Sequence, residues 1–270
     1  MTLEPLALWC ALIAYVAAGS LAIIAQVWKR KPERWILGLM GLGLSLHTLF
    51  ISLRWIRIEH LPVGSTFEAV QANIWGLMIA VVLVYWRIPK IRPVAVVMMP
   101  IVFLLMGWML LIPNTDSKFP PFYDTIWLFI HVGLIKVFLG AALAAVGLGG
   151  IILLRRRSFG QRHFARMPGN ISLDNLAYRF LAVAFIFDSL GVIAGAIWAM
   201  DAWGRYWNWD PLEIWSFLTW LTLAFALHLR ITRNNPPETN SIISLMVFVI
   251  AFFTFFGIPF VSVAMHQGAV

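Results

Sequence analysis

The stretch WAMDAWGRYWNWDPLEIW, residues 198–215, sets five tryptophans and a tyrosine beside the run Asp210-Pro211-Leu212-Glu213. The second half reads as a helix start. Asp is a favoured N-cap, Pro fits the first helical position, and an acid three residues after the cap can close a capping box. A helix entered from an aromatic loop is expected here, and the rest of the chain decides what kind of helix it is.

The 270 residues are 61% hydrophobic and only 12% charged, too apolar for a water-soluble core and shell. Runs long enough to cross a bilayer, about 20 residues at ~1.5 Å each, fall at 6–28, 35–53, 69–86, 94–112, 125–154, 176–200, 212–230 and 241–264. The expectation is an all-α, polytopic membrane protein with about eight transmembrane helices in a single domain, residues 1–270. The first run lacks a basic start and a cleavable small-residue end, so it reads as a retained span. The segments RIPKIRP and NNPPE read as connectors. There is no Gly-rich nucleotide loop, nucleophile elbow, low-complexity tract or clear internal repeat.

The formal charge is +8, but the cations alternate by loop. Lys29, Arg30, Lys31 and Arg34 follow the first span, and Arg87, Lys90 and Arg92 the third. Arg155, Arg156, Arg157, Arg162, Arg166 and Arg179 flank the turn after the fifth, and Arg230 and Arg233 follow the seventh. Together these are 15 of the 20 Lys and Arg residues. The opposite loops hold Arg54, Arg57, Lys118 and Arg205, with Glu4, Glu59, Glu68, Asp116, Asp124, Asp201, Asp210 and Glu213. By the positive-inside rule both termini and the 198–215 loop lie outside. The basic balance is a topology signal and a contact with the lipid bilayer, not a sign of nucleic acid. The lone Cys10 excludes an intramolecular disulfide or a Cys-pair metal site and reads as a small packing residue.

One or two tryptophans at a helix end are ordinary interfacial anchors. Five in one loop, with Gly191, Gly195 and Gly204 nearby, exceed that need and suit a shelf for a large flat ligand such as a porphyrin. Anionic groups of that ligand would find Arg205, or Arg54 and Arg57. Axial ligation calls for imidazole. His131 near the outer end of the fifth span and His266 just past the eighth flank the aromatic loop at similar depth. His47 and His228 lie within spans, where ionisable groups are functional hypotheses by default. Helix rise puts His47 about 18 Å, and His228 about 3 to 5 Å, from the cytoplasmic ends of their helices, which disfavours a shared iron. His60 could assist a ligand or cap a turn, and His163 reads as solvated. Lys136 and Asp188 form an intramembrane ion pair if they face one another.

Taken together, WGRYWNWDPLEIW resembles the WWD signature of the haem-handling family of cytochrome c assembly, in the form carried by the CcsA or ResC subunit of the System II synthase. The resemblance extends to HLPVGSTFEA in the first outer loop and to the order of His131, the WWD loop, His228 and His266. It implies that Trp203, Gly204, Trp207, Trp209 and Asp210 contact haem b, that His131 and His266 ligate its iron outside, and that His228 is an intramembrane haem histidine. Its partner would come from a CcsB- or ResB-like membrane subunit. The implied role is as a subunit of a holocytochrome c synthase, or haem lyase, with apocytochrome c as the acceptor. The implied place is the bacterial cytoplasmic membrane or the thylakoid membrane, with the WWD loop on the periplasmic or lumenal side. A HemX-like protein that binds haem without ligating it is the alternative. A cytochrome b-like carrier would need histidine pairs repeated on the same helices.

Overall fold

A backbone inside hydrocarbon has no water to satisfy its N–H and C=O groups, so only helices or closed barrels span it, and continuous apolar runs of about 20 residues fit helices. In the computed structural model, which describes residues 3–117 and 125–258, the elements in chain order are α1 (Leu3–Val27), α2 (Glu33–Ile58), α3 (Thr66–Arg87), a 3-10 turn (Pro89–Val94) leading into α4 (Ala95–Met109), α5 (Ile126–Leu154), the short α6 (Ser158–His163), α7 (Asn170–Trp203), α8 (Pro211–Thr232) and α9 (Pro237–Phe252). A π-helical turn, Phe253–Gly257, continues α9. Among the described residues, eight helical spans are long and apolar enough to cross a membrane, as expected; α6 is not one of them. Boundaries differ from expectation at two places. α2 runs on to Ile58 because Arg54 and Arg57 are paired at its end, and α7 is 34 residues long, ending only where Gly204 adopts φ +72°.

The bundle is organised around α5. In its most apolar window 78% of residues are buried, against 22% for α8. The cause is the small-residue run from Gly140 to Gly150. A Cβ on Gly140 would meet Ala80 of α3 at 2.5 Å, and one on Gly147 would meet Val94 and Met98 at 2.5 and 2.8 Å. Lipid is as apolar as leucine, so helices associate by such close approach rather than by hydrophobic burial. α5 thus packs against α3, α4, α7 and α9, while α1 pairs with α2, and α8 packs on α7 and α9. The periphery is apolar outward: Leu104 is 72%, Ile186 54% and Phe225 59% exposed, as fits a lipid solvent. Cys10 also faces outward, so it is not the packing residue the sequence suggested.

Charge sorts the two ends of the bundle. At one end Arg54, 1% exposed, bonds Glu68 at 3.0 Å, Glu4 at 3.2 Å, Asn114 at 2.7 Å and the Thr115 carbonyl at 2.7 Å. Arg57 pairs with Glu4 and Asp116. These bonds tie the start of α1, the end of α2, the start of α3 and the segment before α5 together. The Arg57 guanidinium, with Arg54 adding to it, holds the Asp116 carboxyl below the ordinary carboxylate range. At the other end Arg155 donates to the Pro168, Phe164 and Met167 carbonyls, and Arg230 pairs with Asp174 at 2.8 Å.

Candidate functional site

The aromatic loop is pinned at both ends by backbone devices local in sequence. α7 stops at Gly204, whose N–H bonds the Met200 carbonyl at 3.0 Å in a left-handed cap. α8 starts with a full capping box: the Glu213 N–H bonds Asp210 Oδ1 at 2.9 Å, and Glu213 Oε2 accepts from the N–H groups of Asp210 and Asn208 at 3.3 and 2.8 Å. Between these stops Trp209 sits at φ +58°. A bulky residue there costs on the order of 1–2 kcal/mol, and such strain persists only where its surroundings impose it. The flanking cap imposes it here and turns the Trp209 ring outward, 67% exposed.

Trp207 is half-buried and stands edge-to-face with Trp209 at 5.8 Å. Trp203 packs edge-to-face on Trp198 at 5.1 Å. Tyr206 is 59% exposed. Arg205 is exposed, with Nη1 donating to Asn208 Oδ1 at 3.2 Å. Arg54 and Arg57, the other cations considered for anionic groups, are occupied by carboxylates from three segments of chain. The expectation of their availability is therefore corrected, and Arg205 remains.

His131 comes to this loop from α5. Its Nδ1 donates to the Gly191 carbonyl of α7 at 2.8 Å, and its ring lies on Gly195, where a Cβ would meet Nδ1 at 2.7 Å. The Gly191-Val192-Ile193-Ala194-Gly195 spacing is the small-residue pattern that lets two membrane helices approach. With the proton on Nδ1, Nε2 carries the lone pair, the arrangement in which metal-ligating histidines are usually oriented. His131, Trp207 and Glu213 line one cavity of ≈ 60 Å³ with Asp188, Tyr206 and Phe255. The Trp207 indole N–H and Glu213 Oε1 are buried there without a hydrogen-bond partner. Ligand pockets run to about 300–1,000 Å³, and this cavity is smaller than that range.

The remaining predicted residues separate. His266 lies outside the described residues. His228 is exposed on α8 four residues before its end, whereas His47 is fully buried, with Nε2 3.2 Å from Gln71 Oε1 and Nδ1 3.5 Å from the Tyr15 hydroxyl. α2 packs on α1 and α3, α8 on α7 and α9; the two histidines do not share a site. His60 lies between the Leu61 and Ser117 carbonyls, at 3.1 Å from each. His163 bonds the Phe159 carbonyl and packs, tilted, against the Phe159 ring.

The conditional Lys136–Asp188 pair does not form. Lys136 donates to Asn73, and both Asp188 carboxylate oxygens are buried without a partner, in the cavity beneath the loop. Sequence reasoning also missed a second capping box, Ser65 with Glu68, which the spacing Ser65-Thr66-Phe67-Glu68 carries in plain form. Glu68 is thereby both a helix cap and the buried partner of Arg54.

Comparison with known proteins agrees with this architecture. The Cytochrome C assembly protein family matches residues 63–266. The chain is 29% identical over 257 residues to the cytochrome c biogenesis protein CcsA of Prochlorococcus marinus (strain MIT 9515), covering 85% of this chain and 81% of that one. To CcsA of Buxus microphylla it is 26% identical over 271 residues, covering 85% and 84%. Among solved structures, the cytochrome c haem lyase CcmF superposes with a TM-score of 0.73 at 18% identity, covering 95% of this chain. The chain spans 47% of that protein's length, and at this identity the likeness is one of fold. With three quarters of its length matched and the WWD loop set on a capped helix start, the chain belongs to the CcsA-like cytochrome c assembly family.

Proposed function

We propose that this protein is the haem-handling subunit of a cytochrome c synthase and presents haem b, its substrate, on the tryptophan loop at the outer face of the membrane. The observation that carries the reading is His131. Its Nδ1 is held by the Gly191 carbonyl, and it opens into the same cavity as Trp207. His131 and His266 are the axial ligands, Trp207 and Trp209 set the plane of the ring, Trp203 and the Gly204–Asp210 backbone support them, and Arg205 meets a propionate. A cysteine thiol of a Cys-x-x-Cys-His apocytochrome adds across each vinyl group, sulfur bonding one vinyl carbon and hydrogen the other. That addition consumes no oxidant. The protein contributes orientation and proximity.

The exposure of His228 on α8 supports a second haem contact completed by an imidazole from a CcsB- or ResB-like subunit seated against that face. The membrane is the bacterial cytoplasmic membrane or the thylakoid membrane. The test is purification of the chain with and without the companion and a visible spectrum of each. Bis-histidine haem that His131→Ala and His266→Ala each weaken, and that imidazole partly restores, is expected. Unchanged spectra in both variants sink the proposal.

A further inference from the structure

At the end of the bundle opposite the tryptophan loop, three connections enclose a cavity of ≈ 410 Å³ that the haem reading leaves unused. Its rim is cationic. The α1–α2 turn supplies Lys29, Arg30 and Lys31, the 3-10 turn supplies Lys90 and Arg92, α6 supplies Arg162, and the α6–α7 link supplies Arg166. Arg92 is matched by Glu33 and also donates to the Tyr85 carbonyl. Among the described residues the other six have no carboxylate within ion-pair distance. Its floor is apolar, made by Ala22, Ala25, Ile36, Tyr85, Phe164 and Met167, all buried.

The walls are built rather than incidental. Lys29 at φ +58° closes α1, with the Arg30 N–H on the Ala25 carbonyl at 2.9 Å. Gln26 donates to the His163 carbonyl across the cavity, and Arg155 fastens the Phe164–Pro168 turn through three carbonyls. Six like charges held around one cavity repel within a Debye length of about 8–10 Å, so an anion bound among them relieves the repulsion. A free inorganic anion would satisfy the rim and leave the apolar floor wet. An anionic oxygen cluster on an apolar body satisfies both.

Depth selects the body. The floor residues lie within about two helical turns, ~10 Å, of the helix ends, the level at which headgroups meet acyl chains. Position argues against haem, since the cavity is walled by α1 to α4 and the α5–α7 connection, whereas His228 lies on α8, which packs on α7 and α9. We infer that this cavity seats the phosphate of an anionic phospholipid, with the glycerol and first methylenes on Ile36, Tyr85 and Phe164. The bound lipid joins the α1–α4 half to the α5–α7 connection. It does so independently of the haem site.

The test uses the full chain in nanodiscs of phosphatidylcholine with and without phosphatidylglycerol, reading Tm and the lipids retained in native mass spectrometry. Phosphatidylglycerol is expected to raise Tm by several degrees and to leave one or two lipids bound. The double variant R162Q/R166Q should weaken that binding about thirtyfold, the scale set by two cations at an anionic surface, and abolish the Tm gain. R162K/R166K, which keeps the charge, should retain both. The pair R34Q/R156Q, at the same end but outside the cavity, should also retain both; equal losses in the two Gln doubles mean diffuse attraction and overturn the site. A full Tm gain from pyrophosphate in lipid-free detergent overturns the lipid in favour of a soluble phosphate. One haem per chain that R162Q/R166Q removes and His131→Ala does not also overturns it.

Discussion

The imidazole of His131 donates from Nδ1 to the Gly191 carbonyl at 2.8 Å, with its ring laid on Gly195 one turn along α7. A backbone acceptor sets both the tautomer and the ring plane. A side chain in α5 is thus oriented by small residues in α7, and the two helices must approach closely for it to happen.

That relationship makes Gly195 a sharper probe than the histidine itself. A Cβ at Gly195 would meet His131 Nδ1 at 2.7 Å and Cε1 at 2.8 Å, so Gly195→Ala must displace the ring. The expected outcome is a folded protein with at least a several-fold loss of haem per chain, read as the Soret-to-protein absorbance ratio. Gly133→Ala, where a Cβ meets nothing within 4 Å, should keep that ratio. Equal ratios in the two variants would remove His131 from the site.

Trp209 separates backbone strain from ligand contact. At φ +58° the left-handed conformation costs a bulky residue about 1–2 kcal/mol and costs glycine almost nothing. Trp209→Gly should leave Tm unchanged or raise it while lowering haem content and cytochrome maturation. A belt of interfacial anchors predicts the opposite pattern, a lower Tm with normal haem per folded molecule.

Glu68 carries two roles, so its loss should destabilise the fold. Removing it takes from Arg54, 1% exposed, its fully buried carboxylate, while Glu4 and Asp116 still neutralise the charge, and opens the Ser65 cap, typically worth about 1 kcal/mol, as well. Glu68→Ala should unfold at lower temperature than Glu59→Ala at the preceding helix end. Scanning calorimetry or intrinsic fluorescence in detergent measures the difference.

The same network predicts a pH response. The folded-state pKa of Asp116 is depressed by Arg57 first and Arg54 second, so its contribution is complete above the unfolded Asp value of about 4 and is lost as pH falls through the lower folded value. Tm measured from pH 6 downward should drop in that acid window, and Asp116→Asn should flatten the drop. The effect is small, because Asp116 is half exposed and screened by solvent.

His228 and His47 should fail in different ways. His228 is exposed on α8, so His228→Ala should leave Tm nearly unchanged while reducing haem co-purified with the companion subunit. His47 is sealed between Tyr15 and Gln71, so His47→Ala should lower Tm by cavity formation and loss of the buried hydrogen bonds. Haem per folded chain should change little. The reverse pattern would make His47 the ligand.

What the sequence determined alone were the properties set within one span or a few residues. Apolar run length is enough to count eight helices, because a continuous apolar run of about 20 residues matches a bilayer-spanning helix and not a barrel strand. The Asp210–Glu213 box acts over three residues and stands in the structure where the spacing placed it, whereas the helix before it runs past the expected end at 200 to stop at Gly204. The Ser65–Glu68 box was equally legible and went unread. Loop-by-loop segregation of cations likewise needed only helix count. Which face of each helix turns inward was not legible, because membrane helices are apolar all round and lack the polar stripe that marks the exposed side of a soluble helix. Only packing decided that Arg54 and Arg57 are already bound by carboxylates, that Lys136 reaches Asn73 and not Asp188, that His47 is sealed and His228 exposed, and that His131 finds its acceptor 60 residues away. Those outcomes depend on where glycine and alanine let two backbones approach, a property of pairs of helices that no single stretch of chain contains.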